Sequence, residues 1–450
     1  MNVSWLKQHI VSLVDRQFMT DRFGCYKYSD LSSQIDAYSV EIETLLTDGE
    51  VVAILADYSF YSVALFLALI EKKAIIVPVV SQSPTEIDKR VSVSGCSVII
   101  NIDCGMLRIR RTGNSTSTHS LTSRLIKDHR SGLILFSSGI TGEPKAMIHD
   151  LDALVNRYQG KKLKCLNILI FLMFDHIGGL NTLLNILATG SFMVVPASRK
   201  PDHIASLIQE HQVHILPASP TFLNMMLMDQ VNDKYDLSSL KMVTYGTEPM
   251  PKSLLNKLKQ LFPKVKLVQT FGTSETGIVQ TSSLSSESLA IKLDDPNFEY
   301  KVVENELWLK SKTQILGYLN ASMDSFTEDG WFQTGDLVEE LPDGYIQIVG
   351  RNKEVINVGG LKVLPTEIES VLLGIDEVSD CIVYSEKSSI MGEVVVADVV
   401  LNCQLPPKDA RQIIRKFCLS KLEEYKVPVR MNFVEKTSFN ERFKKIRIKH

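Results

Sequence analysis

The sequence predicts an α/β protein. A large N-terminal region of parallel-sheet units is followed by a β-rich unit and then by a small α+β domain. Three observations carry this expectation. Up to about residue 270, short apolar runs alternate with segments whose apolar residues recur at spacings of three and four, the rhythm of parallel strands covered by helices. After residue 300, alternating strands separated by Gly-, Pro- and Asp-rich turns suggest antiparallel pairing. The last hundred or so residues hold helical and strand-like segments enough to fold alone. At 450 residues the chain is also too long for one ordinary core.

The elements follow in order. Residues 30–46 read as a helix, 51–56 as a buried strand, 61–73 as a helix and 74–80 as a strand. Short strands are expected at 97–100 and 133–136, then at 166–172 and 191–196 around a helix at 180–188. A helix at 202–211 precedes a strand at 214–219, and a helix at 252–262 precedes a strand at 265–271. Antiparallel strands at 306–311 and 345–350 come next. The final unit has a helix near 365–373, strands at 379–385 and 393–401, and a helix at 408–424. The boundary is expected at Gly350–Lys353, dividing residues 1–350 from 351–450. No repeat or Ser/Gly linker marks it, so the hinge is short.

Composition excludes several classes. Hydrophobic residues make up 44% and charged residues 22%, ordinary for a globular protein and unlike disordered or collagen-like chains. A net charge of −3 argues against a nucleic-acid-coating protein. Seven scattered cysteines, an odd number with no CxxC pair, fit a reducing compartment better than a disulfide framework or zinc site. No secretory leader is read at the N-terminus. Residues 176–198 carry no charged side chain, but Gly178, Gly179, Asn181, Asn185, Gly190 and Pro196 break them into loop, helix and strand, so no membrane span is read there. A cytoplasmic protein without nucleic-acid or membrane partners is expected.

The strongest local signal follows the strand at 133–136. Ser137, Ser138, Gly139, Thr141, Gly142 and Lys145 form a loop in which glycines permit tight turns, hydroxyls and backbone N–H groups converge, and a lysine closes the loop. That chemistry cradles a polyphosphate, although the spacing differs from GxxxxGK[ST]. Phe271, Gly272, Thr273, Ser274 and Glu275 put hydroxyls and a carboxylate at the C-terminal edge of a strand, where parallel sheets bind ligands. Asp336 follows a glycine in 330–337 and can accept ribose hydroxyls. Arg351 stands at the domain boundary.

In order and spacing, from about Tyr26 to Lys445, these motifs resemble the AMP-forming adenylate superfamily: acyl- and aryl-CoA synthetases, peptide-synthetase adenylation domains and luciferases. Residues 26–31 look like the family's opening helix cap. Residues 74–78 look like its "GAVVVP" strand, with Lys73 in place of the usual glycine. The resemblance implies two half-reactions: a carboxylate attacks the α-phosphate of Mg·ATP to give an acyl-adenylate and pyrophosphate, and a thiol then attacks that anhydride.

The same resemblance implies the roles. The Ser137–Lys145 loop would hold the β- and γ-phosphates, with Ile140 removing one usual hydroxyl and weakening ATP binding. Ser274 would meet the α-phosphate and Glu275 the Mg²⁺. Gly246, Thr247 and Glu248 would lie along the adenine, and Asp336 and Arg351 would bind the ribose. Lys353 would be the hinge about which a mobile C-terminal domain rotates. The catalytic lysine is Lys444, counted without gaps from Phe433-Val434, with Lys445 as the alternative; Phe443 replaces the glycine before it and puts the loop conformation in doubt. His176 fits the aromatic-His-x-x-Gly of the acid-binding region, where Asp175 replaces the aromatic. Apolar Ile177, Leu180 and Ile278 suit an uncharged alkyl or aryl acid. Coenzyme A is the expected acceptor, with the phosphopantetheine of a separate acyl carrier protein as the alternative. Ile140, Lys73 and Phe443 together leave open a non-catalytic nucleotide- or acyl-binding homologue.

Overall fold

The computed structural model describes residues 3–113, 119–137, 143–389 and 391–447. Among these, two seven-stranded sheets form the N-terminal region. The first runs in the order Gly317–Tyr318, Ala146–Asp150, Gly132–Phe136, Ile75–Pro78, Val51–Ile54, Val98–Asp103, Met106–Arg111. Its four central strands are parallel and its flanks antiparallel. Every residue of Val51–Ile54, Ile75–Pro78 and Gly132–Phe136 is buried, because helices cover both faces of a parallel sheet and an alternating pattern would bury polar groups.

The second sheet runs Lys266–Gln269, Met242–Tyr245, Ile215–Ala218, Asn167–Leu169, Phe192–Val194, Gln17–Asp21, Gly24–Lys27. All its pairings are parallel save the last hairpin. Helix Tyr28–Leu45 starts where expected, and Asp30 accepts from the Lys27 amide at 2.7 Å, half of a capping box. Ser83 and Ser219 likewise cap Pro84–Ser94 and Pro220–Met228, both with proline in the first turn.

A six-stranded antiparallel sheet follows, in the order Thr281–Ser283, Ala290–Leu293, Tyr345–Arg351, Phe332–Leu341, Glu306–Ser311, Phe298–Val303. Its expected alternation is visible in Glu306–Ser311, where Leu307, Leu309 and Ser311 point inward. The small C-terminal unit joins Gly392–Leu401 to Val378–Ser388, Ile356–Val358 and Arg430–Phe433. It has its own core around Ile368, Leu372, Val383 and Val399.

Three expected elements differ. The strand at 166–172 is ordered as a ladder only over Asn167–Leu169, and the chain then leaves the sheet, with Arg199 Nε donating to the Phe171 carbonyl at 2.6 Å. The strand at 265–271 stops at Gln269. The Thr270 amide donates the last bond of that parallel ladder, to the Tyr245 carbonyl, its hydroxyl meets the same oxygen, and Phe271–Thr273 pairs instead with Gly277–Val279. The helix at 408–424 ends at Leu419, and a 3-10 turn covers Glu424–Lys426. No described helix is long and apolar enough to cross a membrane.

Candidate active site

The site is assembled where strand ends of the first two sheets meet the β-rich sheet and the last residues of the chain. Ser138, Gly139, Ile140, Thr141 and Gly142 lie outside the described residues. The two ends of their loop are tied together: the Ser137 amide donates to the Lys145 carbonyl at 3.1 Å, and the Lys145 amide donates to Ser137 Oγ at 3.1 Å. The Lys145 ammonium sits 5.0 Å from the centre of the Tyr318 ring, within cation–π range.

Tyr318 also donates its hydroxyl to Glu275 Oε1 at 3.1 Å. Burial pushes the Glu275 carboxyl up, and Tyr318, Arg351 and Lys145 only partly offset this. A half-buried carboxyl whose charge two cations only partly compensate fits a metal carried in on phosphate. Magnesium needs only one or two protein carboxylates beside substrate phosphates. The neighbouring strand end is closed by Thr273 Oγ1, which accepts from the Thr276 amide at 3.1 Å. Beneath it His149 is fully buried against the Ser274 backbone, and burial lowers its pKa to about 4, so it is neutral.

Gly246 is demanded by packing. A Cβ there would lie 2.7 Å from both the carbonyl oxygen and Oγ1 of Thr270. Thr247 takes a left-handed φ of 72°, and its buried Oγ1 has no hydrogen-bond partner among the described residues. Glu248 is already engaged: Oε1 accepts from the Thr221 amide at 2.7 Å and Oε2 from the Lys445 amide at 3.3 Å. Asp336 and Arg351 stand opposite each other on adjacent strands, and Arg351 Nε donates to Asp336 Oδ1 at 2.9 Å. The second oxygen, Oδ2, is buried and unpartnered among the described residues, an acceptor that costs free energy until a donor arrives.

The two candidate lysines diverge. Lys445 Nζ donates to the Cys381 carbonyl at 2.6 Å and pairs with Asp380 at 3.2 Å. Burial opposes its charge, but Asp380 and Glu369 prevail and its pKa is raised. Lys444 has no ion-pair or side-chain hydrogen-bond partner among the described residues. Burial, then Arg351 and Arg442, push its pKa down to about 8, against the pull of Glu248 and Asp336. The electrostatic neighbours of Lys444 therefore include both proposed ribose ligands. His176 feels Lys444 and Arg442 too; burial foremost holds it neutral. His176 Nδ1 accepts from the Gly178 amide at 3.0 Å and caps helix Ile177–Thr189, which leaves the ring proton on Nε2.

Phe443 adopts a φ of 53°, so the loop keeps a left-handed residue where the resemblance calls for glycine. Its ring packs 5.2 Å from Phe171 and 5.5 Å from Phe222. Lys353 lies exposed in the 3-10 turn Asn352–Glu354. Near the acid-binding loop, a mainly apolar cavity is lined by Leu151, Leu154, Ile177, Leu180, Leu184 and Ile278; of its polar lining, Tyr158 and Asn181 bond each other at 2.6 Å and Arg157 pairs with Asp295 at 3.0 Å.

Sequence reasoning missed Tyr318 and Asn320. Asn320 accepts from the Ala146 amide at 2.8 Å and donates to the Pro144 carbonyl at 3.1 Å, bracing the exit of the phosphate loop. Both belong to Gly317-Tyr318-Leu319-Asn320, whose Gly-Tyr start just before a polar turn was an available signal. Arg90 and Arg442, which meet at Asp175, carried none.

These features define an α/β architecture with a small C-terminal unit whose last residues reach the strand ends of the N-terminal sheets. The chain belongs to the AMP-binding enzyme family: that family's profile matches residues 7–319, and the profile of its C-terminal domain matches residues 367–444. Among curated relatives, a 4-coumarate–CoA ligase-like protein of Arabidopsis thaliana is 29% identical over 411 residues, covering 78% of this chain and 72% of that protein. A second from the same plant is 29% identical over 310 residues, covering 63% of this chain and 54% of the relative. The matched region thus spans little more than half of some relatives. A solved anthranilate CoA ligase in complex with anthranoyl-AMP superposes with a TM-score of 0.85 at 20% identity, covering 99% of this chain and 95% of that one. The o-succinylbenzoate CoA synthetase of Bacillus subtilis superposes at 0.77 with 20% identity, covering 98% and 96%.

Proposed function

We propose that this chain is an ATP-dependent carboxylic acid–CoA ligase that works through an acyl-adenylate. The observation that carries this reading is Lys444: a partly buried lysine with no ion-pair or side-chain hydrogen-bond partner among the described residues, its pKa lowered to about 8 within electrostatic reach of the Asp336–Arg351 pair and neutral His176. Such a cation is positive charge available to an incoming anion.

In the first half-reaction a substrate carboxylate oxygen attacks the α-phosphorus of ATP, and pyrophosphate leaves. An anion meets a polyanion, so the barrier is largely charge. Lys145 and the Ser137–Lys145 loop hold the distal phosphates. Ser274 donates to the α-phosphate, and Lys444 offsets charge between carboxylate and phosphate. Asp336 Oδ2 accepts a ribose hydroxyl, with Arg351 opposing the rise in pKa that burial imposes on the carboxyl, and the segment 246–248 lies along the base. Glu275 is the residue to hold Mg²⁺, which when bound neutralises phosphate charge. In the second half-reaction a thiol sulfur attacks the acyl carbon and AMP leaves, after residues 351–450 rotate about Lys353.

Lys444 is preferred to Lys445 because the latter's ammonium is spent inside the C-terminal unit. The apolar cavity and the aryl-CoA ligase names of the relatives support an uncharged alkyl or aryl acid and CoA. ATP–pyrophosphate exchange across a panel of carboxylic acids tests the first step. Exchange with at least one acid is expected, and none with any would overturn the reading in favour of a non-catalytic homologue. AMP release dependent on CoA, rather than on a carrier protein, tests the acceptor.

A further inference from the structure

Two residues before Lys444, the chain makes a contact that the adenylating reading does not require. Arg442 Nη2 reaches Asp175 Oδ2 at 3.3 Å, and Arg90 Nη1 reaches the same oxygen at 2.8 Å. All three side chains are largely buried: 12% of Arg442, 5% of Asp175 and 13% of Arg90 remain exposed. Asp175 immediately precedes His176, on the acid side of the site. Arg90 lies on helix Pro84–Ser94, is braced by Glu86 at 2.8 Å, and stacks 5.6 Å above the ring of Phe136, the last residue before the phosphate loop. One carboxylate oxygen thus joins the acid-binding loop, the strand feeding the phosphate loop and the C-terminal lysine segment.

The terminal segment is built to transmit that contact. Asn440 Oδ1 accepts from the amides of both Arg442 and Lys444, each at 3.0 Å, and the Asn440 amide donates to the Lys444 carbonyl at 3.0 Å. Residues 440–444 are therefore one knotted turn, and fixing Arg442 fixes the backbone of Lys444. Arg90 keeps Glu86 as a second partner, but Asp175 is the only carboxylate that Arg442 pairs with among the described residues, so without it a largely buried guanidinium would lose its counter-charge. The two guanidinium groups share Oδ2 alone, and Asp175 Oδ1 is buried without a hydrogen-bond partner among the described residues.

We infer that Asp175, with Arg90, is the docking point for Arg442, and that this ion triad positions Lys444 for adenylation. Arg442 and Asp175 are positioning residues: they act through Lys444 and the closed arrangement, not on the reacting atoms. This inference rests on the proposed adenylating activity for its kinetic consequence, but the dock itself can be read without turnover.

The test uses Arg442→Gln, Arg442→Lys, Asp175→Asn and the double variant Asp175→Asn/Arg442→Gln. Arg442→Gln should lower kcat for ATP–pyrophosphate exchange about ten-fold, the scale of coupling between contacting buried charges. The KM values for ATP and acid should stay within about two-fold, and Arg442→Lys should recover part of the rate. Thiol transfer from supplied acyl-adenylate should fall by less than about two-fold, because that step does not need Lys444 docked. Asp175→Asn should cost less in the Arg442→Gln background than alone. Independently of activity, hydrogen exchange of amides in 437–447 should be faster in both single variants.

Losses that multiply in the double variant, or equal loss of both half-reactions, would overturn the inference. So would unchanged hydrogen exchange, a readout that decides the dock even if the parent protein catalyses no exchange with any acid. In that case the proposed activity falls while the dock stands or fails by itself.

Discussion

Two turns of this molecule put a bulky residue where the family resemblance calls for glycine, and both keep the glycine backbone. Lys73 has a φ of 55° and Phe443 a φ of 53°. A left-handed residue with a side chain costs about 1–2 kcal/mol, so each turn needs something to hold it. At Lys73 the holder is internal. Its ammonium pairs at 2.9 Å with Asp152, whose side chain is fully buried and also accepts the Ser131 hydroxyl. At Phe443 the ring stacks on Phe439 within its own segment and also packs across the molecule on Phe171 and Phe222. The first compensation lies wholly within the N-terminal region. The second is complete only while the terminal loop meets Phe171 and Phe222. Strain offset within one unit serves stability, whereas strain offset between units can be released by motion and so serves function.

The sharpest break of this comparison removes what the Phe443 turn delivers. Lys444→Ala should lower the rate of acyl-adenylate formation by about two to three orders of magnitude, the scale of losing one principal electrostatic contact. Transfer from supplied acyl-adenylate should survive, as separate assays of the two half-reactions would reveal.

Next in size is the Lys73 turn. Lys73→Ala leaves the buried Asp152 carboxylate without its cation, and should cost about 3 kcal/mol in denaturant unfolding. The ratio of adenylation to transfer should not change. A shift in that ratio would mean that the two turns are not separate devices.

Phe443→Gly should have a smaller and opposite profile. Glycine relieves the left-handed strain while the ring packing is lost, so stability should move by no more than about 1 kcal/mol. Adenylation should nevertheless slow by about ten-fold, roughly 1.4 kcal/mol in the barrier, because the loop loses a docking ring. An unfolding midpoint that collapses in this variant would place Phe443 with Lys73, among residues that serve stability.

The mildest test is pH. The Lys444 pKa is lowered from the ordinary 10.5 to about 8. Between those values the folded state binds fewer protons than the unfolded one, so stability should rise with pH across that window. Catalysis needs the charged form, so kcat/KM for ATP, which reports the free enzyme, should fall as pH passes about 8. Lys444→Arg should abolish that limb, since a guanidinium stays charged.

Much of the fold was legible because its signals are local. The run read at 51–56 forms the buried strand Val51–Ile54 for the same reason that it reads as one, and Asp30 caps the helix that its spacing announced. The errors fall where a competing bond ends an element. Pairing of Phe271–Thr273 with Gly277–Val279 diverts the chain after Gln269, and the chain beyond Leu169 leaves its sheet toward the acid-binding loop. Of the candidate site, the residue identities in the motifs were readable from order and spacing. Tyr318 and Asn320 were overlooked, although their tetrapeptide was in view. Ser138–Gly142 lie outside the described residues.

What the sequence determined by itself is therefore the order of elements and the set of chemical groups on offer. Periodicity, caps and Gly-rich loops act between residues a few positions apart. What only the tertiary structure decided is which groups meet. Adjacent in sequence, Lys444 and Lys445 part company, one facing Asp336 and Arg351, the other locked onto Asp380. Arg442 finds Asp175 across 267 positions of chain. Whether a charge is spent or spare depends on distances of about 3 Å in a medium that screens weakly, and no local pattern encodes those distances.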